Sequence, residues 1–324
     1  MTVKHAKIWT ILALKVLLSG GLVGLILSRV DLSQALTHLS GVRAPVALGC
    51  VALMLGTIML ASLRLIFVLK MFGTHIGVGL AAKMSLTGAF FSQALITFLS
   101  GDAVRIWWLT RINMELRQAT GSILVDRSLG IIAITVLYVA MLPWFLDLVG
   151  DPVMRWSMAS VGIGMTGICV TFFILGGILP SHIRQHRLIG FVADIASASR
   201  YIYFRPGAFF VAFLLSLLIH IGNTLVIFAL AREFGMKIDF FQVLMIVPIA
   251  TLISMLPISV AGWGVRESIL IVAFGLFGQA TDTALAASIG FGLVLLVGSL
   301  PGSVLWLRNR PSQPPGPETG KAGE

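Results

Sequence analysis

The sequence predicts an all-α polytopic membrane protein with about six full spans and two interrupted, re-entrant helical hairpins related by an inverted-topology repeat. Three observations carry this. The 324 residues are 57% hydrophobic and 11% charged, with a mean hydropathy of +0.99, whereas soluble chains are about half apolar and a quarter charged. The apolar residues come in runs of about 20, the length that crosses a hydrocarbon core as helix, and no ten-residue alternation suggests a membrane barrel. Finally, residues 101–120 match 262–281 without gaps at a shift of 161 residues.

The N-terminal "MTVKHAKIWTILALKVLLSGG" has the basic start and apolar middle of a signal peptide. The apolar character continues through Leu27 without a small-x-small cleavage site, so 8–27 is expected to be an uncleaved first span. Further spans are expected at 46–68, 119–145, 156–179, 207–231 and 283–307. The stretches 81–108 and 240–277 are interrupted near their middles by glycine and charge, and each reads as a half-helix, a break and a second short helix. In "SHIRQHRLIGFVADIASASRYIYFRP", Leu188, Phe191, Val192, Ile195 and Ile202 recur at helical spacing beside Arg184, Arg187 and Arg200. That describes a helix lying in the membrane interface or a plain connector between spans. Residues 1–310 are expected to form one membrane domain, and the proline- and glycine-rich 311–324 a disordered tail.

Net charge is +10, which in a soluble protein would raise nucleic-acid binding; in a polytopic chain the excess of Lys and Arg in cytoplasmic loops explains it. If both termini are cytoplasmic, the far side holds only Arg29, Arg43, Arg155, Arg232 and Lys237. No nucleic-acid partner is expected. Cys50 and Cys169 fall inside apolar runs with no CxxC or Cys/His spacing, so they read as packing residues, and neither metal nor cofactor is expected.

The self-match lays "GDAVRIWWLTRINMELRQAT" over "GWGVRESILIVAFGLFGQAT", pairing Gly101 with Gly262, Val104 with Val265, Arg105 with Arg266, Leu109 with Leu270, and Gln118-Ala119-Thr120 with Gln279-Ala280-Thr281. Three full spans separate the copies. An odd number inverts the second copy, giving repeat halves of about 81–146 and 240–307, and such repeats hold substrate where their broken helices meet.

The break itself reads "MLPISVAGWGVRESIL". Pro257, Gly262 and Gly264 should end one half-helix and let another begin, and irregular backbone at membrane depth is tolerated only beside protein or a watery cavity. Unpaired N–H groups at the new helix start suit an anion, and Arg266 adds a fork of donors able to grip phosphate. In the first copy Arg105 follows Gly101 and Asp102. Two half-helix ends facing one another with one arginine each would make a phosphate-sized site. The alternative is that Arg266 pairs with Glu267 or a carbonyl to hold the hairpin while Arg105 snorkels. Glu267 could instead meet a substrate amine or carry a proton. Asp126 and Arg127, about two turns inside a span, border the cavity or make an ion pair with another helix. His220 and Asn223, spaced i,i+3, are expected to hydrogen-bond between helices, and Arg64 and Lys15 to snorkel.

The elements "PISVAGWGVRES", "GDAVRIWWLTR", "YFRPGAFFVAFLLSLLIH" and "SLPGSVLWL" resemble the flippase-like membrane domain at the N-terminus of lysylphosphatidylglycerol synthases, over about residues 8–308. The resemblance implies packed transmembrane helices with interrupted hairpins in a bacterial cytoplasmic membrane, and a role in moving lipids between leaflets. It carries over Pro257, Gly262, Gly264, Arg266 and Glu267, with Gly101 and Arg105; Asp102 departs from it, standing where a Gly-Glu pairing is expected. The chain stops at Glu324 without a soluble aminoacyl-transferase domain, so it is not expected to synthesise the lipid. The resulting expectation is a non-enzymatic translocator of anionic, phosphate-bearing lipid. Without a Walker motif, movement would be downhill, ion-coupled or partner-dependent. The alternatives are a scaffold for a glycosyltransferase or lipid-modifying enzyme, or a membrane enzyme acting on a lipid phosphate.

Overall fold

The computed structural model describes residues 37–94, 100–178, 206–254 and 264–308, and among these every regular element is helical. In chain order the helices are α1 (Ala44–Met71), α2 (Val78–Ala94), α3 (Ser100–Arg111), α4 (Leu116–Leu148), α5 (Pro152–Ile178), α6 (Pro206–Glu233), α7 (Phe240–Ser254), α8 (Val265–Leu276) and α9 (Thr281–Arg308). Five of them, α1, α4, α5, α6 and α9, are long and apolar enough to cross a membrane. The protein is a multi-pass membrane protein. The expected span 8–27, the connector 181–206 except Pro206, and the tail 311–324 lie outside the described residues.

The two interrupted stretches form pairs of short helices, α2 with α3 and α7 with α8, each packed against its partner. Leu65 and Leu69 from the end of α1, Met84 of α2, Leu109 of α3 and Ala119 and Ile123 from the start of α4 share one cluster. Hence α2 starts where α3 finishes. Leu230 and Ala231 from the end of α6, Val243 of α7, Phe274 of α8 and Ala284 of α9 share another, together with Cys50 and Met54 from the first half of α1. Here Lys237 N–H donates to Gln279 Oε1 at 3.2 Å and the Gln279 amide returns a bond to the Lys237 carbonyl at 3.2 Å, tying the entry of α7 to the exit of α8. The two hairpins therefore open toward opposite ends of the bundle. α1 and α6 run antiparallel, because Val68 and Met71 at the end of α1 pack with Ala212 near the start of α6.

Helix ends correspond between the two halves. After α1, Gly73 takes φ 77° while Thr74 N–H bonds the Leu69 carbonyl; after α6, Gly235 takes φ 81° while Met236 N–H bonds the Ala231 carbonyl. Both are left-handed helix caps, 162 residues apart. After α3, Asn113 takes φ 63° and Met114 N–H bonds Leu109; after α8, Gly278 takes φ 69° and Gln279 N–H bonds Phe274. That second pair of caps is 165 residues apart. The starts of α4 and α9 keep the same offset.

In this region the helix ends correspond at an offset of 165, one helical turn from the 161 read from the letters. A shift of four residues keeps nearly the same face of a helix, so either offset matches apolar to apolar. At the offset of 165 Asp102 corresponds to Glu267 and Gly101 to Arg266, while Arg105 corresponds to Leu270. The packing pairs correspond too: α1 with α2 as α6 with α7, α2 with α9 as α7 with α4, and α1 with α9 as α6 with α4.

Close approach of the helices is made at glycines. A Cβ on Gly101 would strike the Gly88 carbonyl and Ser92 hydroxyl, and one on Gly302 would strike the Leu86 carbonyl, where α9 crosses α2. Small residues at such crossings let helices pack without a hydrophobic drive between them.

Candidate functional site

The first hairpin meets α1, α4 and α6 at a buried chain of charges. Arg64 on α1 donates from Nε and a terminal nitrogen to the two oxygens of Asp126 on α4, at 2.7 and 2.9 Å, and its third nitrogen donates to Ser216 Oγ on α6 at 3.1 Å. The Asp126 side chain is 2% exposed and that of Arg64 10%. Arg64 was expected to snorkel. It does not, because a carboxylate and a hydroxyl on neighbouring helices satisfy its fork inside the bundle. Gly130, one turn beyond Asp126, keeps that approach open, since a Cβ there would lie 3.3 Å from the guanidinium. His220 reaches the Gly130 carbonyl at 2.9 Å. A carbonyl only accepts, so Nε2 carries the proton. This is the expected bond between helices; Asn223 Oδ1 is buried without a hydrogen-bond partner.

Asp126 is shared. Arg105 on α3 lies 3.6 Å from its second oxygen and 3.9 Å from Asp102, and Asp102 makes a close ion pair with Arg127 on α4. Three guanidiniums alternate with two carboxylates along this chain. Asp126 and Arg127 thus settle as ion pairs with other helices. Arg105 is the loosely held member. Its partners are beyond hydrogen-bond length, and its Nε is buried with no partner.

The second hairpin carries a tighter and neutral cluster. Gly264, at φ 85°, opens α8, and its N–H donates to Glu267 at 2.6 Å. This is half of a capping box, since glycine has no side chain to return the bond. Reaching back to the cap brings Glu267 to its own neighbour Arg266, which donates to it at 2.6 and 3.1 Å, although adjacent residues do not normally face each other on a helix. Ser288 on α9 donates to the same carboxylate oxygen at 3.1 Å, and Arg266 lies over the Phe291 ring at 5.6 Å.

The structure therefore brings Asp102, Arg105, Asp126 and Arg127 together in one cluster and Gly264, Arg266 and Glu267 in another. Gly101 serves the crossing of α2 and α3. Pro257 and Gly262 lie outside the described residues. Arg105 and Arg266 each have carboxylates of their own, so the expected pair of arginines sharing one anion is replaced by two separately compensated clusters. Reading the sequence missed Arg64, Ser216 and Ser288. Asp126 was the available signal for Arg64, because a carboxylate two turns inside an apolar run requires a cation.

A comparison with curated proteins found no match. Residues 12–302 match the family model described as Lysylphosphatidylglycerol synthase TM region, the family that the sequence motifs resemble, and the chain belongs to it.

Proposed function

We propose that the protein moves a phosphate-bearing lipid between the leaflets of a bacterial cytoplasmic membrane. The observation that carries this reading is the chain of charges from Arg64 through Asp126, Arg105 and Asp102 to Arg127, set among apolar helices. Each charge near the middle of a membrane helix costs about 2.5–3.5 kcal/mol on insertion scales, so five together are retained for more than helix packing. A headgroup phosphate would compete with Asp102 and Asp126 for Arg105, whose own contacts are long.

The family ties the chain to lipid chemistry in the membrane. The opposite openings of the two hairpins and the paired helix caps support an inverted-topology repeat, with α2–α3 and α7–α8 re-entering lipid from opposite faces. Lys70, Arg111, Arg117 and Arg308 gather at the end where the first hairpin opens, which we take as cytoplasmic. Anionic lipids are the proposed partners, and we read the protein as a carrier rather than an enzyme.

The test is leaflet exchange of fluorescent phosphatidylglycerol and a polyprenyl phosphate in proteoliposomes. Wild type should exchange at least one of them well above empty liposomes. Arg105→Gln should lose that exchange, and Arg266→Ala should lose it only to the extent that the second hairpin loosens. If no lipid exchanges in folded wild type, the charges are braces and the protein is better read as a scaffold for a lipid-modifying enzyme.

A further inference from the structure

Three polar atoms on α2 and α3 are buried and have no hydrogen-bond partner: Ser85 Oγ, Arg105 Nε and Trp108 Nε1. They are not scattered. Gly88 faces Arg105 so closely that a Cβ on it would lie 2.6 Å from Arg105 Nε. Ser85 stands one turn before Gly88 on α2, and Trp108 one turn after Arg105 on α3. Because the two helices run antiparallel, these steps lead the same way along the seam, toward the end where the hairpin opens.

The chemistry of the three is alike. Guanidinium Nε and indole Nε1 can only donate, and a serine hydroxyl can donate. Ser85 is the sharper observation, since it is 1% exposed and makes none of the bonds to a preceding helix carbonyl that Thr87 and Ser122 make. Leaving such donors unmet costs free energy, and a native fold keeps few of them. One kind of ligand would satisfy all three, an acceptor with several oxygens and a negative charge to match the loosely paired guanidinium of Arg105.

We propose that Ser85, Arg105 and Trp108 form a phosphate-binding subsite within the α2–α3 hairpin, reached when the two helices part. The subsite rests on the lipid-translocation reading only for the source of the phosphate, which is a lipid headgroup or free phosphate. Asp102 and Asp126 flank Arg105 and give way to the incoming anion.

The experiment uses the full chain in neutral detergent micelles. Dihexanoyl phosphatidylglycerol, inorganic phosphate and dihexanoylglycerol are added in turn, and the thermal unfolding midpoint is followed against concentration. The phosphatidylglycerol should raise the midpoint saturably and the phosphate-free glycerolipid should not. A rise with inorganic phosphate as well would assign recognition to the phosphate alone; a rise with the lipid only would assign it to a headgroup carried on its chains. Ser85→Ala and Trp108→Phe should each weaken the apparent affinity about tenfold, as expected for losing a hydrogen bond to a charged group. Ser85→Ala should not lower the midpoint without ligand, since it deletes a donor that had no partner; Trp108→Phe also trims apolar packing, so its affinity is read against its own unliganded midpoint. A merely structural role would do the reverse, lowering the unliganded midpoint and leaving the affinity alone.

Wild-type affinity in both variants would overturn the subsite, even if Arg105→Gln abolished exchange and the translocation reading stood. Conversely, weakened binding in both, with no lipid exchange by wild type, would keep the subsite and end the translocation reading.

Discussion

Asp126 is the residue on which the first cluster turns, because two arginines from different helices depend on it. Replacing it with asparagine keeps the shape and removes the charge. Breaking a buried pair in this way costs about 3–5 kcal/mol, since a desolvated guanidinium is left uncompensated. Asp126→Asn should lower the unfolding midpoint in detergent clearly, and Arg64→Met combined with Asp126→Leu should recover most of the loss. An Asp126→Asn protein as stable as wild type would show that Arg64 finds another anion. Glu267 has two duties, capping α8 and neutralising Arg266. Glu267→Gln can still accept the Gly264 N–H while losing the charge, whereas Glu267→Ala loses both, so stability should fall in the order wild type, Gln, Ala. Equal stability of the two variants would mean that the cap contributes nothing beyond the charge.

The helices meet at glycines, and the cost of filling each depends on what lies opposite. Gly302 faces the backbone carbonyl of Leu86, which cannot rotate away, whereas Gly298 faces Met54 Cγ at 2.9 Å, the middle of a flexible side chain. Gly302→Ala should therefore separate α9 from α2 and cost roughly 1–3 kcal/mol, the usual range for overpacking, while Gly298→Ala should cost less. Thermal midpoints of the two variants measured side by side decide it, and an inversion of that order would contradict the close crossing. The same elements show what could be read in advance. The spans were visible because apolar runs of this length have one stable solution in lipid, and the expected 46–68, 119–145, 207–231 and 283–307 fall within α1, α4, α6 and α9. The observed helices run a few residues further at each end, since caps such as the one at Gly73 are set by backbone geometry rather than hydropathy.

Across the whole molecule, opposite openings of the hairpins make a prediction about sidedness. In a background without native cysteines, Thr74→Cys and Asn113→Cys should react with a membrane-impermeant thiol reagent from one face, and Lys237→Cys and Gln279→Cys from the other. Labelling of Thr74→Cys and Asn113→Cys from different faces would mean that α2 and α3 together cross the membrane, and the re-entrant reading would fall. At the second face Arg43 clasps Glu233 through its backbone N–H and both arms of its fork, joining the start of α1 to the end of α6. The side-chain hydrogen bonds to Glu233 first, and the charge of Glu233 second, hold the Arg43 pKa above its ordinary value. The bridge is solvent-exposed on the arginine side and is worth little stability by itself.

The sequence by itself determined that the chain lies in a membrane, where most of its spans run, and that two of its apolar stretches are broken beside charge. Those properties follow from composition and local chemistry, which act over one or two helical turns. Only the tertiary structure decided which charges meet. Arg64 and Asp126 are 62 residues apart, and no local rule chooses between an arginine that snorkels to the surface and one that turns inward to a carboxylate on another helix. The offset between corresponding helix ends was set there as well. Matching letters tolerates a shift of one helical turn, because such a shift leaves each side chain on nearly the same face, whereas the left-handed caps at Asn113 and Gly278 fix the offset of those two helix ends.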